Sequence, residues 1–183
     1  MKGGDTMSKV ICLSGKAGCG KDTVAGMMTD VLREQGYSVH IMSYAGVLKY
    51  ICKEHLGWNG QKDEAGRSLL QKVGTDIIRA KNQTFFVDFV LNLLTFFGDR
   101  WDYVIIPDCR FKNEIGSLRM NGVDVTHFYV TRKNMNSKLN TEQQSHPSET
   151  EMDGVMPDFY INNYAGLPEL EKTVRTVVME DLL

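Results

Sequence analysis

The segment GKAGCGKDT, from Gly15 to Thr23, holds the residues best spaced for chemistry. Gly15, Lys16, Ala17, Gly18, Cys19, Gly20 and Lys21 match G-x-x-x-x-G-K, in which successive backbone N–H groups wrap phosphate oxygens and the lysine reaches the β- and γ-phosphates. A helix opening at the end of the loop adds the positive end of its dipole. The chemistry implied is binding of a nucleoside triphosphate. The position after the lysine is usually Ser or Thr, whose hydroxyl binds Mg²⁺, but here it is Asp22, with Thr23 next. A carboxylate at a helix start is favoured by the dipole and repelled by phosphate. Asp22 therefore calls for Mg²⁺, a Mg²⁺-bound water or an arginine between it and the ligand.

Further charged groups fall where such a ligand would need them. Asp108 follows the apolar run YVIIP and has the placement of a Walker B carboxylate, holding Mg²⁺ directly or through water; the alternative is a cap for the next helix or turn. Arg110 is placed to stabilise a transferring phosphoryl group, or else to pair with Glu114. Arg67 and Arg79 begin and end one periodic segment, about 18 Å apart if it is a straight helix, so both grip one acceptor phosphate only if it bends at Gly74. Arg132 follows the strand-like DVTHFYV, where a lid could carry it over the triphosphate; Lys133 beside it reads as surface charge. His146 stands alone in a polar loop, and its spacing makes neither a metal nor a catalytic site.

These groups need a scaffold, and the pattern supplies one. Val10 to Leu13 is a continuous apolar run, the mark of a parallel strand covered on both faces. After the glycine loop, Val24, Met27, Met28, Val31 and Leu32 form one helical stripe that stops at Gly36. Residues 38–43, 103–107, 124–130 and 159–161 read as further strands. Helices are expected over 48–55, 67–81, 85–97 and 111–120, and again at the C-terminus, where Pro168 sits in the first turn and Leu170, Val174, Val177 and Val178 face inward. The segment Phe85–Phe97 is apolar nearly all round and is expected to be buried; at 13 residues it falls short of the roughly 20 that span a bilayer. Alternating strands and helices predict an α/β fold with a central parallel sheet and ligands at the C-terminal strand ends, where both the glycine loop and Asp108 fall. Residues 132–157 are polar and poorly periodic, a lid or an insertion, and MKGGDTM at the start reads as disordered.

Composition narrows the classes. The chain has 183 residues, the size of one domain, and 21 basic against 23 acidic residues with no charge block, so nothing favours a nucleic-acid-coating role. Cys12, Cys19, Cys52 and Cys109 are scattered with no secretory leader, which reads as reduced thiols in a cytoplasmic protein rather than a zinc site or disulfide framework.

Taken in order, GKAGCGKDT, GRSLLQKVGTDIIR, PDCRFKNE, SHPSE and YINN resemble the deoxynucleoside monophosphate kinases of phages and bacteria over about Val10 to Val178. The resemblance implies a three-layer P-loop kinase fold of the adenylate-kinase type, with a helical monophosphate-binding region over about 45–98 and a lid over about 132–157. It implies transfer of the γ-phosphate of ATP, with Mg²⁺, to a deoxynucleoside monophosphate. Lys21 and the loop amides would hold ATP, with Asp108 and Arg110 at the reacting phosphates and Arg67 and Arg79 over the acceptor. Arg132 would open a lid containing His146, Ser148 and Glu149; Asn162 and Asn163 would lie near adenine, and Thr23 would meet the α-phosphate region. Pro147 and Cys109 stand where relatives usually carry a small apolar residue and an aliphatic one. The partners implied are small nucleotides, with no nucleic acid or membrane, and a homodimer is compatible. Two rival readings are a kinase for phosphomevalonate or dephospho-coenzyme A, and a nucleotide-dependent switch without transfer activity.

Overall fold

A computed structural model of the chain describes residues 8–133 and 139–183. The expected disordered start, residues 1–7, and part of the expected lid, residues 134–138, lie outside the described residues. Five strands form one sheet: β1 (Lys9–Ser14), β2 (Val39–Ile41), β3 (Tyr103–Ile106), β4 (Val125–Thr131) and β5 (Phe159–Asn162), in the order β2-β3-β1-β4-β5. All the pairings are parallel, with Ile11 opposite Ile105 on one side and Thr126 on the other.

The unbroken apolar run of β1 follows from its central position. Side chains alternate across a strand, so Ile11 and Leu13 enter one core layer with Val24, Met28 and Leu32 of α1 (Lys21–Glu34) and Leu170 and Val174 of α8 (Leu167–Val177). Val10 and Cys12 enter the opposite layer, against α2 (Tyr44–His55), α4 (Phe85–Phe97) and α5 (Lys112–Met120), through Tyr44, Phe86, Val90, Leu94, Ile115 and Leu118. Helices thus cover both faces, giving the three layers expected. All four cysteines are buried and free.

Three elements depart from their expected form. α2 starts at Tyr44 rather than near Leu48, because the Asp108 carboxylate accepts hydrogen bonds from the backbone N–H groups of Tyr44 and Ala45 and caps it from outside. α3 (Glu64–Gln71) starts before Arg67 because Asp63 Oδ1 accepts from the Gly66 N–H, and it continues as a wider, π-helical segment, Lys72–Arg79. Within that segment Gly74 lies close to α2: a Cβ there would meet Leu48 Cδ2 at 2.8 Å, so the leucine would have to shift. α4 is a correction. It buries Phe86, Val87, Val90 and Leu94 but leaves Phe89, Phe96 and Phe97 exposed, because α2 and α5 cover only one side of it. Among the described residues no helix is long and apolar enough to cross a membrane.

Candidate active site

The glycine loop closes between β1 and α1 in a form open only to glycine at key points. Gly15 and Gly20 have φ of 131° and 104°, and a Cβ on Gly15 would lie 2.3 Å from the Val130 carbonyl oxygen. Gly20, at the start of α1, offers no side-chain cap, so the first amides of a 14-residue helix face the loop without a side-chain acceptor on it. Lys21 is folded back: its Nζ donates to the carbonyl oxygens of Gly15 (2.8 Å) and Lys16 (3.0 Å). Burial, and then the nearby Arg110 cation, push its pKa down. Asn163 Nδ2 donates to the Cys19 carbonyl at 3.0 Å, so the residue expected near adenine braces the loop from behind. Asp22 and Thr23 are exposed on the first turn of α1.

Asp108 and Arg110 leave β3 toward this loop. Both Asp108 oxygens are engaged: Oδ2 accepts from Ser43 Oγ (2.7 Å) and the Ala45 N–H (2.8 Å), and Oδ1 from the Tyr44 N–H (3.1 Å). It caps α2, an earlier helix and not the next one. The Arg110 guanidinium pairs with Glu149 Oε1 at 2.7 Å, while the carboxylate of Glu114 accepts the Arg110 backbone N–H instead. Glu149 belongs to α7 (Pro147–Thr150), and its other oxygen accepts from the Ala17 N–H of the loop at 2.9 Å. Lys16 Nζ completes the contact, donating to the Glu149 carbonyl (2.6 Å) and Asp153 Oδ2 (2.5 Å).

The two arginines of the helical region have separate settings. Arg79 lies between the rings of Phe86 and Phe111, its guanidinium carbon 4.9 and 4.0 Å from their centroids, and pairs with Glu114 Oε1. Glu114 is 1% exposed, and its second oxygen accepts the N–H groups of Arg110 (2.5 Å) and Phe111 (3.0 Å). A single buried carboxylate thus fixes the side chain of Arg79 and the main chain of Arg110. Burial raises its pKa to about 7, against the lowering by Arg79 and the two amides. Arg67 is half-buried in the first turn of α3, well before this cluster. Arg132 is exposed immediately after β4.

Lid residues bridge the loop and the helical region. α6 (Thr141–Ser145) places Gln143, 3% exposed, so that its Nε2 donates to the Glu64 carbonyl (3.1 Å) and Ser68 Oγ (3.0 Å) of α3. His146 caps α7, its Nδ1 accepting from the Ser148 N–H at 3.2 Å, and its Nε2 stands 3.9 Å from Asp76 Oδ1. A hollow of about 340 Å³ beside the loop is lined by Lys16, Tyr129, Asp153, Val155 and Tyr160. A larger one of about 710 Å³, lined by Met27, Asp30, Arg33 and Arg175 among others, contains none of the groups described above. Among the described residues no trio of His, Cys, Asp or Glu is grouped to hold a metal.

One site residue escaped the sequence reading. His127 of β4 is wholly buried, and its Nε2 shares a 2.7 Å hydrogen bond with Ser14 Oγ, next to Gly15. Nothing marked it, since a His inside an apolar strand carries no spacing signal. Burial lowers its pKa to about 4. A depressed histidine contributes stability that is complete above about pH 6.5 and is lost as the pH falls toward 4; at pH 5 the loss is about 2 kcal/mol. Glu114 has the opposite sign, because its raised pKa favours the folded state as the pH falls from 7 toward 4.5. The two contributions offset each other in the wild type. Thermal melts of the wild type and His127→Gln should therefore show a stability difference that shrinks by about 2 kcal/mol between pH 7 and pH 5. A constant difference would mean that His127 does not stay neutral.

The architecture and the loop define a P-loop α/β fold, a central parallel sheet with helices on both faces. The fold is similar to that of the Mycobacterium tuberculosis APS kinase CysC in complex with AMPPNP and APS, at 11% identity and a TM-score of 0.51, covering 94% of this chain and 96% of that one. It is also similar to a sugar kinase from Janibacter sp., at 13% identity and a TM-score of 0.50, covering 94% of this chain and 93% of that one. The sequence profile described as deoxynucleotide monophosphate kinase matches residues 41–174, and the chain belongs to that family. The match begins beyond the glycine loop, so loop geometry and family membership are separate lines of support. No curated protein sequence matches the chain.

Proposed function

We propose that the protein transfers the γ-phosphate of ATP to a deoxynucleoside monophosphate by in-line displacement, releasing ADP and the deoxynucleoside diphosphate. The reading is carried by the convergence of the glycine loop, Arg110 and the Glu114-held Arg79 at one end of the sheet, in a chain of this family. The loop amides and Lys21 hold the triphosphate, and Arg110 lies between donor and acceptor, where charge builds up on the moving phosphoryl group. Arg79, with Arg67 in the first turn of α3 within the helical region 45–98, binds the acceptor phosphate. Arg132 and the lid residues 139–157 close over both substrates and exclude water. Asn163 keeps the loop in register for ATP. An acceptor phosphate is already nucleophilic near neutral pH, so no strong general base is required.

Mg²⁺ fits this donor set as an ion carried chiefly by the triphosphate, since Mg²⁺ keeps several waters and takes one or two carboxylates. Asp22 is exposed on the first turn of α1, and Asp108 keeps a lone-pair direction beyond its three donors; each would hold the ion through water, and the ion would screen phosphate charge. Asp22→Asn should then lower kcat about tenfold or more while the ATP Kd changes less than about threefold. Unchanged turnover would reduce Asp22 to a helix-start residue.

A coupled ADP-release assay over dAMP, dCMP, dGMP, dTMP, phosphomevalonate and dephospho-coenzyme A tests the substrate class. Turnover on at least one of the four nucleotides is expected, and activity confined to the last two would overturn the reading.

A further inference from the structure

We infer that Glu149 is a built-in counter-ligand that occupies the phosphate cradle and must be expelled before ATP can seat. The inference rests on the reading of the loop as the ATP site.

The Glu149 side chain is only 7% exposed, although it belongs to a four-residue helix in a polar segment. Its burial is explained by what it touches. One carboxylate oxygen accepts from the Ala17 N–H at 2.9 Å, and the other pairs with Arg110 at 2.7 Å. Lys16 Nζ reaches the Glu149 backbone carbonyl at 2.6 Å, and Arg110 Nη1 lies 3.4 Å from the Ser148 carbonyl. A loop amide, an arginine and a neighbouring lysine are the donors that a phosphate oxygen would claim, and a carboxylate satisfies the same demand with one negative charge. The two cannot share the Ala17 N–H. A triphosphate brings more charge and more acceptor oxygens, so it displaces the carboxylate, and Arg110 passes from Glu149 to the phosphates.

The rest of the lid favours insertion. Gln143 bonds to Glu64 and Ser68, and Asn140 Nδ2 donates to Glu64 Oε1 at 2.7 Å, so α3 holds this segment on its far side while Glu149 enters the loop. ATP affinity is then reduced by the fraction of molecules in which Glu149 has left the cradle. If the inserted form accounts for about nine molecules in ten, removing the carboxylate tightens ATP binding about tenfold.

Titration calorimetry of the full chain with ATP, in EDTA and again with Mg²⁺, tests this on the wild type, Glu149→Ala and Glu149→Gln. Both Glu149 variants should bind ATP about tenfold more tightly than the wild type in both conditions. Without nucleotide, the Ala17 amide should exchange slowly with deuterium in the wild type and quickly in Glu149→Ala. Equal or weaker ATP binding by both variants, beside a wild type that binds, overturns the inference alone. Weaker binding only with Mg²⁺ also overturns it, making Glu149 a partner of the ion. A wild type that shows no ATP binding in either condition overturns the inference together with the ATP-site reading beneath it.

Discussion

Replacing Lys21 by Ala is expected to lower kcat about 10²–10³-fold while leaving the melting temperature within a few degrees of the wild type. The side chain is 8% exposed and lies along the loop with its ammonium on the Gly15 and Lys16 carbonyls. Burial and the Arg110 charge lower its pKa, so in the resting protein this cation is held at a cost that an arriving triphosphate would remove. Its larger contribution belongs to the state in which negative charge shifts between phosphates, and turnover should suffer more than folding. Lys21→Arg should not restore activity, because a planar fork does not fit where a compact ammonium lies under the loop carbonyls. Steady-state kinetics beside thermal melts check this; a loss of kcat below about fivefold would remove Lys21 from the reaction.

Glu114→Ala is expected to be the most destabilising substitution among the site residues, by about 3–5 kcal/mol. It strands the Arg79 guanidinium, whose side chain is 11% exposed between two phenyl rings and which cannot release its proton, and it leaves the Arg110 and Phe111 amides without their acceptor. For a chain of this size that corresponds to a fall in melting temperature of about 10 °C. Glu114→Gln keeps the shape and one acceptor oxygen, so it should fold with a smaller loss. Because its NH2 group then replaces the oxygen that paired with Arg79 while its remaining oxygen keeps the Arg110 and Phe111 amides, it should raise KM for the acceptor far more than KM for ATP. Denaturant melts of both variants and the two KM values of Glu114→Gln decide between a positioning carboxylate and a purely structural one; equal changes in the two KM values would favour the latter.

The residues that announced themselves in sequence are those whose work is local. The glycine loop, its lysine and the helix behind it lie within one strand–turn–helix unit, so their spacing is legible in consecutive residues even though Val130 and Asn163 press on the loop from elsewhere. The parallel sheet with helices on both faces followed in the same way from continuous apolar runs alternating with helical stripes, whereas its strand order did not. What escaped was paired across the fold. Asp108 caps a helix that begins 64 residues earlier, and Glu149 lies 132 residues from the amide it engages. Neither partner alters the spacing around the other, so no local pattern could report them. Glu114 was visible only as a candidate partner for Arg110, whereas the fold gives its side-chain pairing to Arg79 and keeps only the Arg110 backbone. The full burial expected of α4 failed for a related reason. Its apolar character is a property of the segment, but its covering depends on how far α2 and α5 extend across it.

The central claim is phosphoryl transfer from ATP to a deoxynucleoside monophosphate, and label transfer measures it most directly. The protein is incubated with ATP labelled at the γ-phosphate and each of dAMP, dCMP, dGMP and dTMP, and the products are separated by thin-layer chromatography. The account predicts label in the β-phosphate of at least one deoxynucleoside diphosphate, reduced about a hundredfold or more in Lys21→Ala. Label that stays in ATP, or appears only as inorganic phosphate, would contradict it.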